Sequence, residues 1–359
     1  MVVVQFVEAF GGGVYTYVKD LCNFIVNNKD YNNIELHLIY SGDRVEFDND
    51  LFLKDIDSRV ILHELKMKRE IDIQHDWKML SITRKYLKKI KPDIVHLHSS
   101  KASVIGRIAC FGLVNRSKIF YSPHGYAFVQ QNISKSKILF YKSIEVLMPA
   151  IFGGVTVASG DTEFEISKSF TKSILIKNGV DFVLPNKICH PIKNEKITIG
   201  TVGRLMLQKN PKAFNKIALL LPDVNFVWIG NGELMDEITA SNIKVTGWIK
   251  TREELLELLN SLDIYLQVSL WEGLPISILE AMAVQKPLVV SNVIGNKDTV
   301  EDNYNGFKFT NENEAVKCLE KIINDPALRQ KMGDNSYKKV YTEYNKIENF
   351  SKLLYFYFK

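Results

Sequence analysis

Short apolar runs bounded by loops recur along the 359 residues, with segments of helical periodicity between them. VVVQFVEAF (2–10) precedes a helical stretch from Val14 to about Asn28, and IELHLIYS (34–41) is the next strand. DWKMLSITRKYLKKI (76–90) repeats its apolar positions at helical spacing and leads into KPDIVHLHS (91–99). SKIFYSPHG (117–125), GGVTVAS (153–159) and ILIKNGVD (174–181) supply further strands. This alternation predicts a parallel sheet with helices on both faces. It breaks at DFVLPNKICHPIKNEK (181–196), where two prolines and several polar residues predict a linker. The pattern then restarts: KITIGTVGR (196–204), a helix over 211–221, NFVWIGNG (225–232), IKVTGWI (243–249), DIYLQVS (263–269), a helix beyond Pro275, and KPLVVSN (286–292). The expected architecture is α/β, two Rossmann-like domains with their parallel sheets facing across a cleft. The expected domains are 1–182, a linker over 183–196, 197–340, and a terminal helix over 341–359 that packs back on the first domain.

Length alone favours two domains over one core. Hydrophobic content of 46% and charged content of 24% are those of a globular protein, and no apolar run approaches the roughly 18–20 residues of a membrane span. The amino end, MVVVQFVEAFGGG, reads as a strand entering a glycine loop and not as a secretory leader. Cys22, Cys110, Cys189 and Cys318 are scattered, which predicts neither zinc nor a disulfide framework and suits a reducing cytoplasm. The net charge of +5 is uneven: residues 66–145 hold 16 Lys and Arg against 5 Asp and Glu. That basic surface is either simple solvation or a contact for anionic lipid headgroups or a phosphate-bearing acceptor. No recognition helix, zinc finger or aromatic-basic motif points to nucleic acid.

In a parallel sheet the loops after the strands carry chemistry. Gly11-Gly12-Gly13 is either a plain tight turn or a place where a ligand approaches backbone amides. Arg204 and Lys209, after KITIGTVG, either converge on a diphosphate or are two solvated loop cations. In WEGLPISILEAMA (271–283), Glu272 and Glu280 bracket the start of a helix whose free amides favour anions. Carboxylates accept from vicinal diols, so one acid for each sugar of a nucleotide-sugar, with phosphates between them, accounts for the spacing. Gly230-Asn231-Gly232 and Gly247-Trp248-Ile249 sit where a base could stack or bond to backbone groups. Core packing suits Trp228, whereas Trp248 fits either groove or core. His124 in Pro123-His124-Gly125 is a structural histidine or a sugar contact. His96 and His98 point the same way along one strand; His98, nearer its end, lines the cleft and His96 is structural. Asp48-Asn49-Asp50 invites comparison with the metal-binding DxD motif but reads as a solvated polar loop.

The glycine loop, HG, NGV, GRLMLQKNP, IGNG, TGW and EGLPISILEAMA, in that order, resemble the retaining glycosyltransferases of the GT-B fold, specifically glycosyltransferase family 4. The resemblance covers essentially the whole chain and is strongest from Gly200 to Gly306. It implies a metal-independent transferase in which Arg204 and Lys209 hold the donor diphosphate, Glu272 meets the transferred sugar and Glu280 the ribose. It further implies donor contacts from Gly12, Gly13, Gly203, Gly230, Asn231, Trp248, Ile249, Gly273, Leu274, Pro275, Ile276 and Ser277, with His124 near the reacting carbon. Pro275 offers no amide hydrogen. His98 and Ser99 are acceptor-side candidates. Where many members carry a glycine-glycine-x-proline-glutamate run, this chain has Gly295-Asn296-Lys297-Asp298, which puts local loop geometry in question.

The function expected is transfer of a sugar from a nucleotide-diphospho-sugar, UDP being the commonest family choice, to a glycan hydroxyl. A lipid-linked acceptor in bacterial surface polysaccharide synthesis fits the lysine-rich first half and ILFYKSIEVLMPAIFG (138–153), with peripheral contact at the inner face of the plasma membrane. Two rivals share the fold: a nucleotide-sugar epimerase, which needs no acceptor, and a non-catalytic sugar-nucleotide-binding protein. No cofactor and no nucleic-acid partner are expected.

Overall fold

The computed structural model describes residues 1–31, 33–43, 47–68, 70–182 and 196–359. The expected linker lies, apart from Lys196, outside the described residues, as does Cys189. The chain divides into two compact units, Met1–Ile176 with Ile347–Lys359, and Lys177–Lys346.

In the first unit β1 (Val2–Val7), α1 (Gly12–Asn27), β2 (Glu35–Tyr40), α2 (Asn49–Asp55), β3 (Ile61–Glu64), α3 (Ile73–Ile90) and β4 (Ile94–His98) are followed by α4 (Ser100–Cys110), β5 (Ile119–Ser122), α5 (Lys135–Phe152), β6 (Val155–Ala158), α6 (Asp161–Ser167) and β7 (Ser173–Leu175). The strands form one parallel sheet, ordered β3-β2-β1-β4-β5-β6-β7. Its core includes Val4, Phe6, Val95, Leu97, Ile105 and Ile119. The sequence pattern missed β3, whose ILHE is short and has no buried residue, and so lacks the apolar signature of an inner strand. The Asp48-Asn49-Asp50 run is not a loop: Asp48 caps α2, accepting from the Leu51 amide at 3.0 Å.

The second unit contains β8 (Thr198–Val202), α7 (Pro211–Leu220), β9 (Asn225–Ile229), β10 (Ile243–Val245), α8 (Arg252–Asn260), β11 (Ile264–Gln267), α9 (Ile276–Ala283), β12 (Leu288–Ser291), α10 (Asn296–Thr299), β13 (Gly306–Phe309), α11 (Glu312–Ile323) and α12 (Pro326–Glu343). Its parallel sheet is ordered β10-β9-β8-β11-β12-β13. Buried apolar clusters cover both faces: Ile264 and Leu266 belong to one, Tyr265 to the other. Strand β13 was also missed. Its GFKF follows a turn-rich stretch, and Gly306 is needed because a Cβ there would lie 2.0 Å from the Leu288 carbonyl oxygen. Residues 177–182 join this unit through a bridge between Val180 and Asn345. The final helix, α13 (Lys346–Phe358), places Phe350, Leu353, Leu354 and Tyr357 among the buried residues.

Candidate active site

Strand order reverses between β8 and β11 in the second unit, and crevices at such reversals are where open α/β sheets take ligands. The loop after β8 makes a single 3-10 turn over Leu207–Lys209, ended by Asn210 at φ +53°. Asn210 then caps α7, accepting from the Ala213 amide at 3.3 Å, with Pro211 set in the first turn. The Leu270 amide donates to the Gln208 carbonyl at 2.8 Å, which ties this loop to the one after β11.

The tie brings Lys209 to Glu272. Lys209 Nζ lies 2.7 Å from Glu272 Oε1. Ser269 Oγ donates to the same oxygen at 2.7 Å and Gln267 Nε2 at 3.2 Å, while Gln208 Nε2 donates to Oε2 at 3.1 Å. Glu272 is only 6% exposed, drawn in by these four donors. Gln267 is oriented in turn, because its amide oxygen accepts from Tyr265 Oη at 3.0 Å and Thr201 Oγ1 at 3.2 Å. Burial pushes the Tyr265 phenol up; a hydrogen bond with Ser277 opposes this and the charge of Glu280 adds to it. Ser277 and Glu280, both on α9, therefore act on the side chain that orients Gln267. Helix α9 starts at Pro275 without a side-chain cap, and burial of Glu280 is nearly complete.

The glycines serve close approach. Gly230, at φ +138°, would place a Cβ 2.2 Å from the Gly203 carbonyl oxygen. That carbonyl also accepts from Trp228 Nε1 at 2.7 Å, so Trp228 is core with a polar tether to the loop. Gly230 bridges Gly247, and the Asn231 carbonyl accepts from the Leu205 amide at 2.9 Å. Trp248 is 49% exposed, which settles it outside the core; Ile249 is half-buried. Arg204 Nε donates to Glu233 at 2.9 Å, a partner that residue order alone does not name. Gly295 would set a Cβ 2.0 Å from the Gly273 carbonyl oxygen, so the GNKD departure still supports the loop carrying Glu272 and leads directly into α10. Leu274 is buried, and its carbonyl accepts from Asn178 Nδ2 at 2.8 Å.

The first unit reverses between β1 and β4. Gly12 opens α1 at φ +52°, with open space where a Cβ would stand, and Gly13 lies in the first turn. Ser99, at φ +82°, leaves α4 uncapped, and its hydroxyl has no hydrogen-bond partner among the described residues. His124 also lies at positive φ, +54°, ahead of Gly125. Such backbone in non-glycine residues clusters at functional sites. The Gly125 amide donates to Glu163 Oε1 at 3.0 Å, and Glu163 Oε2 accepts from the Ser159 amide at 2.7 Å. His124 Nε2 meets His98 Nδ1 at 3.0 Å, and burial lowers the His124 pKa to about 4. His98 and His96 are held well below the usual histidine range, again chiefly by burial. Reasoning from the sequence missed Gln208, Gln267, Ser269, Gln5 and Glu163. Gln5 and Gln267 had a signal: each is a polar side chain inside an otherwise apolar inner strand.

Known proteins resemble this chain. The description "Glycosyl transferases group 1" matches residues 186–339, and "Glycosyltransferase Family 4" matches residues 11–183. The Escherichia coli UDP-Gal:alpha-D-GlcNAc-diphosphoundecaprenol alpha-1,3-galactosyltransferase is 32% identical over 79% of this chain and 80% of its own length. The Staphylococcus aureus capsular polysaccharide biosynthesis glycosyltransferase CapM is 26% identical over 87% of each chain. Among solved structures, sucrose-phosphate synthase from Thermosynechococcus elongatus superposes with a TM-score of 0.82 at 14% identity, covering 99% of this chain and 98% of that one, which shows the shared GT-B fold. With a family description on each half and a relative of this identity over most of its length, the chain is a glycosyltransferase and belongs to glycosyltransferase family 4.

Proposed function

We propose that this glycosyltransferase moves a hexosyl or N-acetylhexosaminyl group from a UDP-sugar to a hydroxyl of a glycan carried on polyprenyl diphosphate, with retention of configuration and without a divalent metal, in bacterial surface polysaccharide synthesis. The observation that carries the reading is the Lys209–Glu272 pair at the β8/β11 reversal, beside the uncapped start of α9. A cation with three further donors on one carboxylate is a set of groups able to re-partner: Lys209 turns to the leaving diphosphate while Ser269, Gln267 and Gln208 keep Glu272 fixed for sugar hydroxyls. Arg204 and the α9 amides help stabilise the charge on the phosphate, and Glu280 meets the ribose. Arg204 and Lys209 do the work of a metal in this scheme, so EDTA leaves activity unchanged. The acceptor attacks from the face of the departing phosphate, whose oxygen takes the hydroxyl proton. His124 touches the donor sugar, Gly12 and Gly13 border the phosphates, and His98 and Ser99 lie toward the acceptor. The E. coli relative's named substrates, a UDP-sugar and a diphosphoundecaprenol glycan, favour the same chemistry here.

Among the described residues no helix is long and apolar enough to cross a membrane. Peripheral contact suits the first unit. Helix α5 exposes Leu139, Phe140, Leu147 and Ile151 with Lys135, Lys137 and Lys142, and turns its acid, Glu145, inward to Ser100 and Tyr121. An anionic bilayer surface matches that mixture.

The test is incubation of purified protein with a panel of UDP-sugars, with and without a GlcNAc-diphospho-lipid acceptor. An α-linked product formed in EDTA supports the reading. An epimerised donor accumulating without acceptor, or UDP binding with no turnover on any acceptor, overturns it. Sedimentation with phosphatidylglycerol vesicles, reduced in a Leu139→Ser/Phe140→Ser variant, tests the surface contact.

A further inference from the structure

The first unit buries a chain of polar side chains under the reversal between β1 and β4. It starts at His124, whose Nε2 lies 3.0 Å from His98 Nδ1. His98 Nε2 lies 2.8 Å from Gln5 Oε1, and Gln5 Nε2 donates to Tyr357 Oη at 3.3 Å. Tyr357 Oη bonds His96 Nδ1, and His96 Nε2 lies 2.9 Å from Ser122 Oγ. Gln5, His96, His98 and Tyr357 are fully buried. The parallel register sets Gln5 beside His96 and His98 beside Ser122, so the sheet itself brings these groups together.

We propose that Gln5 is a positioning residue: through His98 it fixes the tautomer of His124, so that His124 presents a bare Nδ1 as a hydrogen-bond acceptor for a ligand hydroxyl. The argument is one of donors and acceptors. An amide oxygen only accepts, so His98 Nε2 must carry the proton of that bond. A neutral imidazole has one such proton, which leaves His98 Nδ1 bare. The bond to His124 then needs the proton on His124 Nε2, and the same rule leaves His124 Nδ1 bare. Burial keeps both rings neutral near pH 7. With the Gln5 amide in the orientation present, Tyr357 takes the Gln5 N–H and passes its own proton to His96 Nδ1, and His96 donates Nε2–H to Ser122. Turning the Gln5 amide end for end would reverse every proton in the chain and convert His124 Nδ1 into a donor. A side chain on the first strand thus decides what His124 offers. A purely structural network would hold α13 in place equally well with either polarity.

The catalytic consequence rests on the reading of His124 as a sugar contact; the tautomer does not. Histidine-labelled protein would be studied by long-range nitrogen–proton NMR, with His124 assigned from a His124→Asn sample. The expected wild-type result is the Nε2–H tautomer at His124. Gln5→Met, which keeps length and apolar packing, and Tyr357→Phe, which frees the amide, are each expected to give mixed tautomers, and Gln5→Met a kcat about tenfold lower with KM for the donor little changed. A UDP-induced rise in melting temperature retained in both variants shows that the fold persists. Nδ1–H at His124 in the wild type, or an unaltered tautomer in Gln5→Met, overturns the relay. A tautomer that shifts while kcat stays put overturns the role given to His124 and leaves the donor site in the second unit untouched.

Discussion

At the β8/β11 reversal a lysine and a glutamate meet directly, whereas at the β1/β4 reversal three histidines are joined through neutral groups. A carboxylate and an ammonium held together under cover contribute little net stability against their desolvation, so a buried pair that persists beside an open helix start is better explained by what it binds. The histidine chain carries no formal charge near neutral pH, since burial holds its rings unprotonated there. On the proposed reading, one reversal stores charge for a charged ligand and the other stores direction for an uncharged one.

Lys209→Ala should break this contrast most sharply. With the cation gone, kcat/KM is expected to fall by about 10²–10³ and UDP to lose most of its effect on melting temperature. A variant with unchanged turnover would mean that the ion pair is only structural. Next comes backbone. Gly295→Ala sets a methyl group 2.0 Å from the Gly273 carbonyl oxygen at φ +81°, and should destabilise the second unit by about 3 kcal/mol or more. Gly12→Ala, at φ +52° in open space, should cost only about 1 kcal/mol. Equal losses in urea unfolding would remove the distinction between a packed and an open loop.

Acid should act on the first unit before the second. The folded His124 pKa, about 4, lies below the unfolded value, so the unfolded chain takes up more protons as pH falls. The stability is complete above about pH 6.5 and is lost as pH falls toward 4, on the order of 3 kcal/mol from His124 alone, with His96 and His98 acting in the same direction. A flat urea-unfolding profile between those limits would contradict the buried neutral chain. The smallest effect is at Ser269→Ala, which removes one of four donors to Glu272 and should lower kcat about tenfold without changing UDP affinity.

Much of this was legible in residue order. Lys209 and Glu272 stand out because charged side chains in loops are read directly, Glu280 because it is the one charge in α9, and the alternation of apolar runs and helices located eleven of the thirteen strands among the described residues. What stayed hidden depended on register. The link of Gln5 to His98, and through Tyr357 to His96, exists because parallel strands align particular rows, and no spacing along one strand reveals its neighbour's row. The burial of Glu272 was hidden for a related reason: Gln267 and Ser269 point to its side of the sheet only once β11 is paired. Strand β3 escaped because its exposed edge position relaxes the apolar pattern that marks inner strands.

Tyr357 follows Gln5 by 352 residues, yet both sit in one buried chain, and Lys118 Nζ also donates to the Tyr357 carbonyl at 3.0 Å. During synthesis the strands around Gln5 and His96 leave the ribosome long before their hydroxyl partner is made. The intervening unit, Lys177–Lys346, is finished in the meantime and can fold first, while the older strands wait with polar groups unmet. The first unit, begun earliest, is therefore completed last, when α13 joins its buried polar chain.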